Sequence, residues 1–137
     1  MIRVLIADDH EIVRQGLKQI MEEEPDMEVT GEAGSAAELL WQVRRGQWDV
    51  LVLDITLPDR SGMDALKEVK SMRPELPVLI LSMHPESQYA KQALQYGASG
   101  YVTKGGAVQE VVTAVRQVVG GGKYVNEPLS REFFEEG

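Results

Sequence analysis

The sequence predicts an α/β fold: a doubly wound, five-stranded parallel sheet in the strand order 2-1-3-4-5. Two observations carry it. Strand-like and helix-like segments alternate along the chain, which calls for parallel strands joined by right-handed crossovers, with helices on both faces. The run Asp49-Val-Leu-Val-Leu-Asp54 is apolar without alternation, as in a strand covered on both sides. It also delivers a carboxylate to the strand's carboxyl end, where open α/β sheets keep their ligand sites.

Each element has its own signal. Ile2, Val4 and Ile6 mark a first strand that stops at Asp8-Asp9, and Ile12, Val13, Leu17, Ile20 and Met21 recur at helical spacing until Pro25. Met27 to Ala33 reads as the second strand. Ser35-Ala-Ala-Glu38 is a capping box opening a helix with Ala36, Leu39, Leu40 and Val43 on its apolar face, ended by Gly46. Val50 to Leu53 is the third strand, and a helix runs from about Met63 to Arg73. Pro77 to Ser82 holds the fourth strand, a helix near Glu86 to Tyr96 stops at Gly97, and Gly100 to Thr103 is the fifth strand. Val108, Val111, Val112, Val115 and Val118 then form an amphipathic helix. Gly120-Gly-Gly122 releases the chain into a polar tail in which Phe133 and Phe134 are the bulky pair.

The 137 residues make one domain's worth of chain and carry a net charge of −8, which argues against a broad nucleic-acid or anionic-membrane footprint. There is no cysteine, and no apolar stretch approaches the ~20 residues of a membrane span. The expected compartment is the cytoplasm, and the expected partners are a protein and a cation.

In this topology the carboxyl ends of strands 1, 3, 4 and 5 bring Asp8, Asp9, Asp54, Ser82 and Lys104 to one crevice. Taken singly, each has a plain reading: Asp9 a helix cap, Ser82 a strand-end hydroxyl, Lys104 an exposed edge lysine, Tyr101 core. Their convergence is what points to chemistry. Three clustered carboxylates repel one another and call for a cation, and an all-oxygen set that leaves room for water and phosphate suits Mg²⁺, with Mn²⁺ as a substitute. Asp9 and Asp54 are the expected direct ligands, the backbone carbonyl of Thr56 a third, and Asp8 a ligand through water. His10 and His84, with no third nitrogen or sulfur ligand in view, read as surface or loop residues rather than a zinc site.

With these residues in hand, the chain resembles the receiver domain of a two-component response regulator, a CheY-like fold that shares its strand order with flavodoxin. The matching motifs are Asp8-Asp9, Asp54 with Pro58 and Gly62, Leu81-Ser82, and Tyr101 with Lys104. Ala7-Asp-Asp-His10, Leu81-Ser-Met-His84 and Gly97-Ala-Ser-Gly-Tyr101 are most similar to the NarL/FixJ class, whose receivers precede a LuxR-type helix-turn-helix. The resemblance implies a receiver over residues 1–121. Residues 122–137 are then a tail that would lead to a DNA-binding domain absent from this sequence. It further implies that Asp54 accepts a phosphoryl group from a sensor histidine kinase, that Ser82, Lys104 and Tyr101 sense the phosphate, and that phosphorylation promotes a homodimer and switches transcription. Gly105-Gly106, where relatives often carry a polar or acidic residue, departs from the pattern.

Other readings compete. A stand-alone single-domain regulator would use the same site. A phosphatase of the haloacid-dehalogenase type needs a second acid two residues after the nucleophile, where this chain has Thr56, so a phosphoacceptor switch is expected rather than an enzyme. A flavodoxin-like cofactor module would need a glycine-rich phosphate loop where Asp8-Asp9 stands.

Overall fold

The computed structural model describes residues 1–55, 57–82, 87–103 and 109–125. The strands are β1 (Ile2–Ala7), β2 (Met27–Ala33), β3 (Val50–Asp54), β4 (Val78–Ser82), β5 (Gly100–Thr103) and β6 (Tyr124–Val125). The helices are α1 (Glu11–Glu22), α2 (Ala36–Arg45), α3 (Gly62–Met72), α4 (Ser87–Gln95) and α5 (Gln109–Val119). All pairings are parallel, in the order β2-β1-β3-β4-β5-β6. The five expected strands stand in their expected order, and a sixth is added at the edge.

Alternation along each strand divides the core in two. Leu5, Leu51, Leu53, Ile80 and Tyr101 face α2, α3 and α4, where Leu39, Val43, Leu66 and Val69 pack. Val4, Ile6, Val52, Leu79, Leu81 and Val102 face α1 and α5, meeting Leu17, Met21, Val112 and Val115. Every residue of β3 and β4 is buried, so these are the two-sided strands that their unbroken apolar runs implied. One expectation fails on α1. Ile12 is 84% exposed rather than part of the apolar face. Val13, Leu17, Ile20 and Met21 follow the i, i+4, i+7, i+8 stripe, and Ile12 lies one residue-turn off it.

The capping box at α2 forms in a modified way. Ser35 Oγ accepts from the Glu38 N–H (3.2 Å), while Glu38 Oε2 accepts from Gly34 N–H (3.0 Å) rather than from Ser35 itself. Gly97 and Gly121 adopt the left-handed region, φ 103° and 93°, and close α4 and α5 with paired 6→1 and 5→2 hydrogen bonds. The second of these turns redirects the chain onto the sheet.

The tail expected to begin at residue 122 therefore first contributes β6, in register with β5 at Gly100↔Tyr124 and Tyr101↔Val125. Tyr124 N–H donates to Ser99 O (3.0 Å). Gln117 Nε2 donates to Lys123 O (2.6 Å), and Tyr124 Oη donates to Glu110 Oε1 (3.1 Å). Partial burial, then the Glu110 carboxylate, push the Tyr124 phenol up to about 12. A raised phenol favours the folded state while it stays protonated, so its contribution is present below the ordinary value of 10.0 and is lost as pH rises from there through about 12. The melting temperature should therefore fall more between pH 9 and pH 11.5 in the parent than in Tyr124→Phe. Equal falls would mean that this bond does not secure β6.

Candidate functional site

The acidic cluster is assembled by strand register. Ala7 pairs with Leu53 and Asp54 with Leu81, which aligns the carboxyl ends of β1, β3 and β4. Asp8 and Asp54 are almost fully buried, at 1% and 2% exposure, and Ser82 is wholly buried. Asp9 is more open, its side chain 32% exposed. One ligand atom from each of Asp8, Asp9, His10 and Asp54 lies within 4.8 Å of the others. Two charges held out of water this way are costly unless compensated.

Part of the compensation comes from His10, which the sequence reading placed as a plain surface or loop residue. Its ring is 59% exposed, yet Nδ1 lies 2.9 Å from Asp8 Oδ1, 3.0 Å from Asp9 Oδ1 and 3.8 Å from Asp54 Oδ2. Ionised carboxylates only accept, so Nδ1 carries the proton and donates. The His10 backbone N–H also donates to Asp8 Oδ1 (2.8 Å), a tight side-chain turn that aims the ring back over the cluster. The only signal for this in the sequence is adjacency to Asp8-Asp9.

Arg14 was missed as well. Its Nη1 donates to the Asp8 carbonyl (2.5 Å) and its Nε lies 3.4 Å from Glu32 Oε1, so a fixed positive charge is tied between β1 and β2 behind the acids. Three carboxylates from two strand ends form a hard, oxygen-rich donor set that fits a divalent cation of the Mg²⁺ kind.

Of the other expected site residues, Tyr101 is fully buried in the core that faces α2, α3 and α4, and Ser82 pairs with Thr103 across β4 and β5. Thr56, Lys104, His84, Gly105-Gly106, Val108 and the tail from residue 126 onward lie outside the described residues.

The loop after Asp54 is anchored at its base. Gly62 N–H donates to Ile55 O (2.8 Å), and Ser61 Oγ accepts from the Met63 N–H (3.2 Å) at the start of α3. At its tip, Asp59 accepts from the N–H groups of Ala36 (2.8 Å) and Ala37 (3.1 Å), and these two bonds hold its carboxyl below the usual carboxylate range.

Residues 4–116 match the family described as response regulator receiver domain. The chain belongs to that family. The receiver is 33% identical over 132 residues to the response regulator UvrY of Escherichia coli (strain K12), covering 96% of this chain and 61% of that protein. It is 40% identical over 121 residues to the DNA-binding transcriptional activator DevR/DosR of Mycobacterium tuberculosis, covering 88% and 56%. In structure it is similar to a two-component response regulator of the LuxR family from Aurantimonas sp. SI85-9A1, with a TM-score of 0.92, 34% identity, and 98% and 96% of the two chains covered. These relatives bear out the resemblance to the NarL/FixJ class. The chain spans about three fifths of the length of the curated relatives it matches. No helix among the described residues is long and apolar enough to cross a membrane.

Gly62 is the tightest point of the receiver's loop. A Cβ there would collide with the carbonyl oxygen and Cα of Ile55, which are backbone and cannot step aside. Gly62→Ala should destabilise by about 1–3 kcal/mol, the usual range for overpacking. Gly16→Ala, in mid-α1 with nothing within 4 Å of the new methyl, should stabilise by about 0.5–1 kcal/mol. Urea denaturation of the two variants checks both signs.

Proposed function

We propose that Asp54 is the phosphoacceptor of a two-component switch, taking its phosphoryl group from a phosphohistidine on a sensor histidine kinase. The observation that supports this most is the burial of Asp54, at 2% exposure, beside Asp8 and Asp9 at the carboxyl edge of the sheet. An ionised carboxylate is a nucleophile that needs no general base. One Asp54 oxygen bonds to phosphorus as the phosphorus–nitrogen bond of the donor breaks, and the bonding pair leaves on the imidazole. Asp8, Asp9, Asp54 and the Thr56 carbonyl would hold Mg²⁺, or Mn²⁺ in its place, which supplies electrostatic stabilisation of the transferring phosphoryl oxygens. The Lys104 ammonium adds a second positive charge on those oxygens.

The aspartyl phosphate brings roughly −1.5 to −2 charges and new acceptor oxygens. Ser82 donates its hydroxyl to one of them, and Tyr101, on the neighbouring strand, responds to that shift. Moving a two-state population from 1:99 to 99:1 takes about 5.5 kcal/mol, so Lys104 must act with Ser82. The receiver is thus a switch acting on itself rather than an enzyme turning over external substrates. It would work in the cytoplasm, dimerise when phosphorylated, and control transcription through a DNA-binding portion of the kind its longer relative's name describes.

Acetyl phosphate with Mg²⁺ should add the mass of one phosphoryl group to the parent chain and none to Asp54→Asn. Undiminished labelling of that variant would place the acceptor elsewhere. Mg²⁺ should also stabilise the fold by mass action, about 2.7 kcal/mol at 100 times its Kd. The rise in melting temperature should shrink in Asp9→Ala. An equal rise in parent and variant would remove Asp9 from the binding set.

A further inference from the structure

The loop that leaves Asp54 has one firm attachment at its tip. Its base is closed by the Gly62 N–H bond to Ile55 O (2.8 Å), but Pro58, Asp59 and Arg60 all stand exposed. Arg60 reaches Glu68 of α3 through two flexible side chains, each about two-fifths exposed, an arrangement that holds little in water. Asp59 is different. Its two oxygens accept from two rigid backbone donors, Ala36 N–H (2.8 Å) and Ala37 N–H (3.1 Å), so the carboxylate is fixed in position and in plane.

These donors are not spare parts of a local cap. Ser35 Oγ takes the Glu38 N–H and Glu38 takes the Gly34 N–H, so the box of α2 is complete without Ala36 and Ala37. The first-turn N–H groups left over, at the positive end of the helix, are the ones Asp59 occupies. The far side of the contact leads back to the acids. Ala33, three residues before Ala36, accepts the Asp8 N–H through its carbonyl (2.9 Å), and Arg14 binds the Asp8 carbonyl (2.5 Å). The contact therefore joins Asp59 to the start of α2, just after the end of β2 that receives the Asp8 N–H.

We propose that Asp59 is a positioning residue of the acidic site: the strand ladders fix Asp8 and Asp54, and Asp59, by holding the loop after Asp54 against α2, sets where that loop and the Thr56 carbonyl proposed as a ligand stand relative to those carboxylates. This rests on the phosphoacceptor reading above. Asp59 touches neither the cation nor the phosphate. Its effect passes through the loop, as with outer partners of metal ligands, whose loss costs 10–100-fold in affinity.

The test compares Asp59→Ala, Asp59→Asn and Ser35→Ala in the full 137-residue chain, with Mg²⁺ titrated calorimetrically and acetyl phosphate labelling timed at subsaturating Mg²⁺. Asp59→Ala should raise the Mg²⁺ Kd about 10-fold and slow labelling by a similar factor. Asp59→Asn, which keeps one acceptor oxygen, should fall between it and the parent. Ser35→Ala weakens the same helix end without touching the loop, so it should lower the melting temperature yet keep the parent's Kd. A parent-like Kd and labelling rate in Asp59→Ala would overturn the proposal, and so would an equal loss in Ser35→Ala. If the parent neither binds Mg²⁺ nor is labelled, the phosphoacceptor reading itself fails and takes this one with it.

Discussion

Two carboxylates buried side by side govern the rest of this molecule. Asp8 and Asp54 sit at the ends of adjacent parallel strands, almost shielded from water. An apolar sheet does not tolerate such a pair unless positive charge or N–H groups converge on it. The surroundings answer that demand at several distances. His10 folds back to donate to Asp8, and Arg14 binds the Asp8 carbonyl from behind. These groups are arranged about a charge that the sheet alone would expel. The open side, where Asp9 is exposed, is where a cation can enter.

The same constraint shows in how the two strand ends are held. The β1 side is held by the sheet itself, since Asp8 still donates its N–H to Ala33 O. The β3 side is held the same way, since Ile55 donates its N–H to Leu81 O (3.1 Å), and the loop begins beyond it. The loop's order comes from a glycine pressed on Ile55 and from a helix that lends two N–H groups. Here the end of a helix orders a neighbouring loop, because backbone donors in a first turn must be satisfied by something.

What could be read from the sequence follows from the range of each interaction. The strand order, the two-sided burial of β3 and β4, and the clustering of Asp8, Asp9 and Asp54 all derive from patterns of a few residues combined with topology. Ser35 announced its helix for the same reason. His10 is the exposed loop residue its surroundings imply, but its hydrogen bond to Asp8 depends on a turn only two residues long, and composition carries no sign of direction. Asp59 meets partners 22 and 23 residues away, a contact that no local pattern reports. Ile12 was placed on the apolar face because it is apolar, although the stripe beginning at Val13 already left it out. The strand β6 is two residues long, too short for any periodicity to register.

That small strand has a consequence for the edge of the sheet. Gly100 lies so close to Tyr124 that an added methyl would stand 2.7 Å from its carbonyl oxygen, so β6 seals the backbone groups of β5 that would otherwise face solvent. An unsealed parallel edge is a template for pairing with another chain, and a very short terminal strand is one of the ways proteins blunt it. The sheet thus includes Tyr124 and Val125. A chain trimmed after Gly121, where the helical pattern runs out, would keep every residue of the acidic site and yet present β5 as a sticky border, prone to recruit strands from its neighbours.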